Sequence, residues 1–334
     1  MGALNNILEP GAIVAILTVG AWVNRKKKPL SSYDETRPLL REDNPAERGT
    51  SCHVEARYAR NKQYIHSRVL ERFPFLLEIW YWLLIYWIYQ GCRAISARLI
   101  SGNETIFENA EAHAIQILTL EDILSIDIEL SVQRFVLNRY PWMMDILADI
   151  YYSHIVLGVA FLVYCYTFLS RERYQGIRRT LALENVIAFA ILSLWRCKPP
   201  RLLPEEFGFV DVLHRGNSGS AWTQNKFQLT IAAMPSLHFG NSVLIAFCLA
   251  MYSPHCLLRC VATLWPVMMG VTVVATANHF ILDAVVGVTV IILAFRFNEV
   301  MLILLPVERG FLRLLRLEKP RDEHTTSGTR VPRW

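Results

Sequence analysis

The segment "AAMPSLHFGN" (residues 232–241) sets a proline, a serine and a histidine at the head of an apolar run. A polar group buried without a partner costs about 1–3 kcal/mol, so these residues mark a place where an apolar helix meets a polar site. The run continues to about residue 253, and similar runs lie at about 10–24, 74–93, 143–169, 180–195, 260–277 and 280–304. A spanning helix needs roughly 20 apolar residues, and these runs approach that length. The expected fold class is all-α: a polytopic transmembrane helical bundle with about seven spans.

Composition points the same way. The 334 residues are 53% hydrophobic, against about 45–50% for soluble chains. A cleavable signal peptide carries its positive charge ahead of its apolar core. Here Arg25, Lys26, Lys27 and Lys28 follow the first run, so it reads as an anchor. Short loops rich in Lys and Arg stay cytoplasmic, and three clusters bear on orientation. These are residues 25–28, then Arg171, Arg173, Arg178 and Arg179 after the third run, and Arg313, Arg316, Lys319 and Arg321 after the seventh. Seven spans place all three on one side, which puts the N-terminus and segments 94–142, 196–230 and 277–280 on the outer or lumenal face. The sequon Asn103-Glu104-Thr105 falls on that face and makes Asn103 a candidate glycosylation acceptor.

The net charge of +5 is explained by topology and headgroup contact. With no separate basic domain, nucleic-acid partners are not expected. The seven cysteines show no Cys-x-x-Cys metal spacing, so no metal site is expected. Cys92 and Cys197 fall near outer span ends, where a disulfide is one possibility. The organisation expected is an N-terminal membrane anchor (1–28), a mobile cytoplasmic segment (29–65) that is polar and contains Pro29, Pro38 and Pro45, a transmembrane catalytic domain (66–305) and a basic cytoplasmic tail (306–334).

Residues 115–142, "IQILTLEDILSIDIELSVQRFVLNRYPW", mix apolar positions with Glu121, Asp122, Asp127, Glu129 and Arg134. The recurrence of Leu120, Ile123, Leu124, Ile128 and Phe135 suits a helix lying along the interface. Its acids either face water or serve a site, and the pattern allows both.

Three polar islands interrupt the C-terminal half: "KPPRLLP" (198–204), "MPSLH" (234–238) and "NHFILD" (278–283). The expected topology brings all three to the outer face. His279 and Asp283 are four apart, within reach on one helical face. A carboxylate bonded to one imidazole nitrogen fixes the tautomer and makes the other nitrogen a nucleophile or base; a helix-end pair meeting headgroups and water is the plainer alternative. Pro235 suits the first turn of a helix. Ser236 sits beside the free N–H groups that make a helix start an anion site, with His238 placed to protonate a leaving oxygen, although a simple cap would also use these residues. Arg201 offers a planar fork to phosphate oxygens and Lys198 a point charge; either would equally touch lipid phosphates.

In order and spacing, "CKPPRLLPEEFGFVDVL", "AAMPSLHFGNS" and "TANHFILDAVVG" resemble the type 2 phosphatidic acid phosphatase superfamily over roughly residues 110–300. The nearest likeness is to the branch that contains fungal inositol phosphorylceramide synthase. The resemblance implies a six-helix core and a metal- and cofactor-independent two-step phosphoryl transfer. In that scheme His279 attacks phosphorus, Asp283 orients it and His238 protonates the leaving group, while Arg201, Ser236 and its neighbouring amides hold the phosphoryl oxygens, with Lys198 as a candidate assisting charge. It implies a lipid phosphate substrate, a water or alcohol acceptor, and an active site on the lumenal or extracellular face, in Golgi or endoplasmic reticulum for a eukaryotic chain. There is a departure: many members carry an arginine six residues before the nucleophilic histidine, and here that position is Val273. The synthase branch also lacks it. Lys226, near the second island, is a candidate replacement.

The leading expectation is therefore an inositolphosphotransferase-like lipid phosphotransferase. Two alternatives stand beside it. One is a phosphatase of lipid phosphates or prenyl diphosphates, or an enzyme that ionises a diphosphate to start terpenoid cyclisation. The other is a catalytically silent lipid-binding membrane protein.

Overall fold

A computed structural model describes residues 2–26, 65–213 and 230–317. The segment expected to be mobile, apart from residue 65, lies outside the described residues, as do Lys226 and the tail beyond residue 317. The architecture is helical, with no β-strand among the described residues.

In chain order the helices are α1 (Gly2–Val23), α2 (Ile65–Arg72), α3 (Phe75–Ile100), α4 (Glu104–Ile123), α5 (Glu129–Arg139), α6 (Pro141–Phe168), α7 (Arg171–Leu194), α8 (Leu237–Tyr252), α9 (Cys256–Val261), α10 (Leu264–Ala275), α11 (Ile281–Arg296) and α12 (Leu305–Leu314). Local chemistry sets several boundaries. Pro141 occupies the first turn of α6, where its missing N–H does no harm, and Ser170 caps α7 by accepting from the Arg173 amide at 3.4 Å. The interfacial segment is two helices, because Ser125 adopts φ +56° between α4 and α5.

By length and composition α6 and the stretch Cys256–Ala275 are apolar enough to cross a membrane, and a third span results if α11 is taken together with the helical stretch after it. Residues 8–23 of α1 and all of α8 form shorter apolar helices. Among the described residues, helices that meet this length and composition are fewer than the spans expected, about seven. In α3 the apolar stretch is diluted by Trp80, Tyr81, Trp82, Tyr86, Trp87 and Tyr89, ring types that favour membrane interfaces. In α7 the first turns are charged.

The chain forms two compact units. The larger comprises Met1–Val19 and Trp82–Met301. Its centre is α8, which packs on α6, α10 and α11, while α11 also packs on α7 and α4. Phe161, Cys165, Tyr174, Ile177, Leu244, Cys248 and Ile291 fill the core between α6, α7, α8 and α11. The α8–α11 contact depends on glycine: a Cβ on Gly240 would sit 2.9 Å from the Gly287 carbonyl oxygen, and one on Gly287 would run into the Ser236 carbonyl. Cys92 and Cys197 are both free thiols, so the disulfide possibility is not realised.

The smaller unit comprises Gly20–Tyr81 and Leu302–Trp334. Within it Leu70, Leu77 and Leu312 form an apolar cluster, Trp80 stacks on Phe311 at 6.0 Å, and the Tyr81 hydroxyl donates to Glu308 at 2.6 Å.

Candidate active site

The three polar islands meet at one end of the larger unit, where α7 and α10 finish and α8 and α11 begin. Backbone hydrogen bonds link each island to the other two. Ala233 N–H donates to the Cys197 carbonyl (3.1 Å), Arg201 N–H to Ala277 (3.0 Å) and Ser236 N–H to Asp283 (3.0 Å). Beneath them Phe280 is fully buried with Ala114, Ile117, Cys197, Leu203 and Ala233. Between α10 and α11 the chain turns sharply, with Ala277 at φ +52°. A non-glycine residue held there carries strain of about 1–3 kcal/mol, and such residues cluster at functional sites.

A cavity of about 150 Å³ opens beside this triangle, lined by Arg201, His238, Asn278 and His279 from the islands and by Tyr89, Arg93 and Tyr151 from α3 and α6. The ring centroids of His238 and His279 are 6.1 Å apart. His279 Nδ1 lies 2.7 Å from the Ala233 carbonyl oxygen. A carbonyl can only accept, so this nitrogen carries the proton and the lone pair of the neutral ring is on Nε2. Asp283 is fully buried, with Oδ2 3.6 Å from the same Nδ1, beyond a hydrogen bond. That oxygen accepts instead from the Phe280 amide at 2.9 Å. The Ala233 carbonyl thus sets the tautomer, a task the sequence pattern assigned to Asp283.

Pro235 precedes α8 and does not enter its first turn, because Ser236 is the N-cap. The Ser236 hydroxyl accepts from the Phe239 amide at 3.5 Å, and the residue is fully buried and outside the cavity lining. Leu237 and His238 do line it, so the start of α8, with its amide groups and positive dipole end, faces the space. The His238 ring stacks on Tyr151 at 4.1 Å and lies 5.0 Å from His154.

Arg201 is held from two directions. Nε donates to Asn278 Oδ1 (2.9 Å) and Nη1 to Asp211 Oδ2 (3.0 Å). Asn278 is oriented by donating to Thr276 Oγ1 at 2.7 Å. The loop bearing Asp211 is clamped by Gln133 of α5, which donates to the Val210 carbonyl (2.8 Å) and accepts from the Val210 amide (3.0 Å). Lys198 is directed elsewhere: Nζ pairs with Glu111 at 2.6 Å, outside the lining. Asn103 is exposed at the start of α4.

The acids of the interfacial segment divide. Asp122 and Asp127 are exposed, whereas Glu121 and Glu129 are fully buried. Glu121 accepts from the Leu282 amide at 2.7 Å and Glu129 from the Ile281 amide at 2.9 Å, so they satisfy the free N–H groups at the start of α11. Burial pushes the Glu121 carboxyl up to about 8, and the nearby Glu129 and Asp283 add to the rise while the Leu282 amide opposes it. Among the described residues no group of three or more His, Cys, Asp or Glu side chains is disposed to hold a metal ion. The apolar positions Leu120, Ile123, Leu124, Ile128 and Phe135 are all exposed, on the outward side of the helices whose glutamates point inward.

Sequence reasoning missed Tyr89, Arg93, Tyr151, His154 and Asp211. The signal for Arg93 was available, since an ionisable residue at the end of an apolar run marks a functional position by default. The aromatic residues gave none, because rings are abundant throughout α3 and α6.

No curated protein and no solved structure matches the chain. A family model of the PAP2 superfamily, a group of phosphatase and phosphotransferase type with lipid phosphate substrates, matches residues 115–297, which include all three islands and exclude Tyr89 and Arg93. That is more than half of the 334 residues, and with its apolar helices the molecule is an integral membrane protein belonging to the PAP2 superfamily.

Proposed function

We propose that the protein is a lipid phosphotransferase that passes a phosphoryl-containing group from a lipid phosphate ester to an acceptor alcohol through a phosphohistidine on His279. The observation that carries the reading is the grouping of two imidazoles and a guanidinium on one cavity, with the His279 tautomer set so that Nε2 is free. In the first step Nε2 forms a bond to phosphorus as the ester P–O bond breaks, and His238 gives its proton to the departing oxygen. The positive charge that develops on the His279 ring is met by the Ala233 carbonyl and the Asp283 carboxylate. Arg201 and the amides at the start of α8 hold the phosphoryl oxygens, in keeping with a reaction catalysed mainly by positioning and charge stabilisation. In the second step His238 takes the proton of the acceptor hydroxyl, whose oxygen attacks phosphorus and releases His279.

The closest functional likeness we infer is to inositolphosphotransferases, because the motif set lacks the arginine expected at position 273 as that branch does. The machinery lies within the membrane domain 66–305, and we place the cavity on the lumenal or extracellular face, the side of Asn103. The test uses the full chain in lipid vesicles with a donor labelled at phosphorus. Label transferred to an added lipid alcohol, in a protein-dependent manner abolished by His279→Ala, supports the reading. Label appearing only as inorganic phosphate at every acceptor concentration would make the protein a phosphatase. Neither product, with donor bound, would leave a lipid-binding protein without chemistry.

A further inference from the structure

The cavity holds a cation that the family match does not reach. Arg93 lies on α3, before the matched residues 115–297, and lines the same space as Arg201, His238 and His279. Its Nε is buried without a hydrogen-bond partner, its guanidinium carbon stands 5.7 Å from the Tyr89 ring centroid, and it makes no ion pair among the described residues. Arg93 is half-buried, and a charge partly withdrawn from water is costly unless a partner compensates it. A chain that retains such a group beside a reaction cavity has its partner in the ligand.

Charge accounting on the cavity says what that ligand is. Two of the five Arg201 N–H groups are committed, to Asn278 and to Asp211, which leaves three free. The Asp211 carboxylate offsets the charge of Arg201, and buried Asp283 adds a further negative charge behind His279. Without Arg93 these side chains sum to one negative charge, which repels a phosphoryl anion, and Arg93 brings the sum to zero. The position six residues before His279 cannot do so, because Val273 is apolar and fully buried.

We propose that Arg93 is a phosphate-binding residue: its guanidinium holds the non-bridging oxygens of the phosphoryl group on the side away from Arg201's committed edge, and so provides from α3 the second cation that α10 lacks. The inference rests on the function proposed above and adds a residue to that site. The ligand chemistry is a tetrahedral phosphoryl anion, either that of a lipid phosphate ester or free phosphate.

Orthovanadate, which mimics a phosphoryl group in transfer, is the probe, with the full chain in detergent or vesicles and ligand-dependent thermal stabilisation as readout. Loss of a charge-assisted pair weakens binding by about 10- to 100-fold. Arg93→Met should weaken vanadate binding by that factor, and Arg93→Lys, which keeps the charge but not the fork, should weaken it less. Arg98→Met, an exposed arginine on the same helix, should bind as wild type does. If Arg93→Met fails to fold, Arg93→Lys and Arg93→Gln carry the comparison. Vanadate binding by the folded Arg93 variants within twofold of wild type, while Arg201→Met loses it, overturns the role of Arg93 and leaves the proposed function standing. No vanadate binding by wild type overturns both. Inorganic phosphate and a short-chain lipid phosphate, run in parallel, separate the two sources: equal dependence on Arg93 means that the phosphoryl group alone is recognised, and dependence for the lipid only assigns Arg93 to the substrate's ester end and overturns the proposal that Arg93 holds the phosphoryl oxygens.

Discussion

The two walls of the cavity are built by different means. One wall comes from loops and helix starts at residues 197–201, 230–238 and 277–283, where backbone hydrogen bonds between segments fix each chemical group. The other comes from the middles and ends of long helices, α3, α6 and α7, which present Tyr89, Arg93, Tyr151, Ala188 and Leu192 by packing alone. Short-range bonds give the tolerance that nucleophilic attack demands, since small displacements of reacting atoms are costly in rate. Helix packing is less exact, and it suits groups that supply field and shape. Chemistry should therefore fail abruptly when the loop wall is altered and weaken by degrees when the helix wall is altered.

The contrast is sharpest at His279. Replacing it with alanine removes the nucleophile, and turnover should fall by about 10⁴-fold or more, measured as product formation from a labelled lipid phosphate; retention of a tenth of the activity would break the comparison. Arg201→Met comes next. With its Asn278 and Asp211 bonds gone, it should cost about 10²- to 10³-fold in kcat, as for loss of one preorganised donor to a developing charge.

A third change tests the seam between α8 and α11. Gly287→Ala puts a methyl group into the Ser236 carbonyl, which forces backbone to move and should destabilise by about 1–3 kcal/mol, read by thermal unfolding. It should also lower kcat, because Ser236 and Asp283 share a backbone hydrogen bond at that seam.

The last expected effect, which leaves the chemistry untouched and is spread over pH, belongs to Glu121. Its folded-state value of about 8 exceeds the 4.5 of the free group, so between these values the folded protein keeps a proton that the unfolded chain has lost. Stability should fall as pH rises through that window, by at most about 1.4 kcal/mol per pH unit. Glu121→Gln stays neutral and still accepts from Leu282, so it should flatten the decline. An unchanged slope in unfolding temperature against pH would contradict the buried, proton-holding carboxyl.

How much of this was legible in the sequence follows the same division. The loop wall was legible because its residues are chemically conspicuous: an arginine after two prolines, a Ser–Leu–His at a helix start and a His four residues before an Asp. Their convergence followed from placing span ends on one face. Tyr89 and Tyr151 were not legible, since nothing local separates a ring that faces a cavity from one that faces lipid. For Glu121 and Glu129 the pattern allowed either a water-facing or a site role, and they face inward, because capping α11 satisfies two backbone amides that helix geometry leaves open. Lys198 shows the converse, since three residues from Arg201 its charge is absorbed by Glu111, a contact that depends on where α4 packs.

The most direct measurement is to map phosphate on the protein after a brief reaction with a lipid phosphate labelled at phosphorus, quenched in alkali. The account predicts acid-labile label on His279 that disappears when an acceptor alcohol is added and never forms in the alanine variant. Donor consumption at full rate with no phosphorylated residue, or with the label on a hydroxyl group, would contradict it.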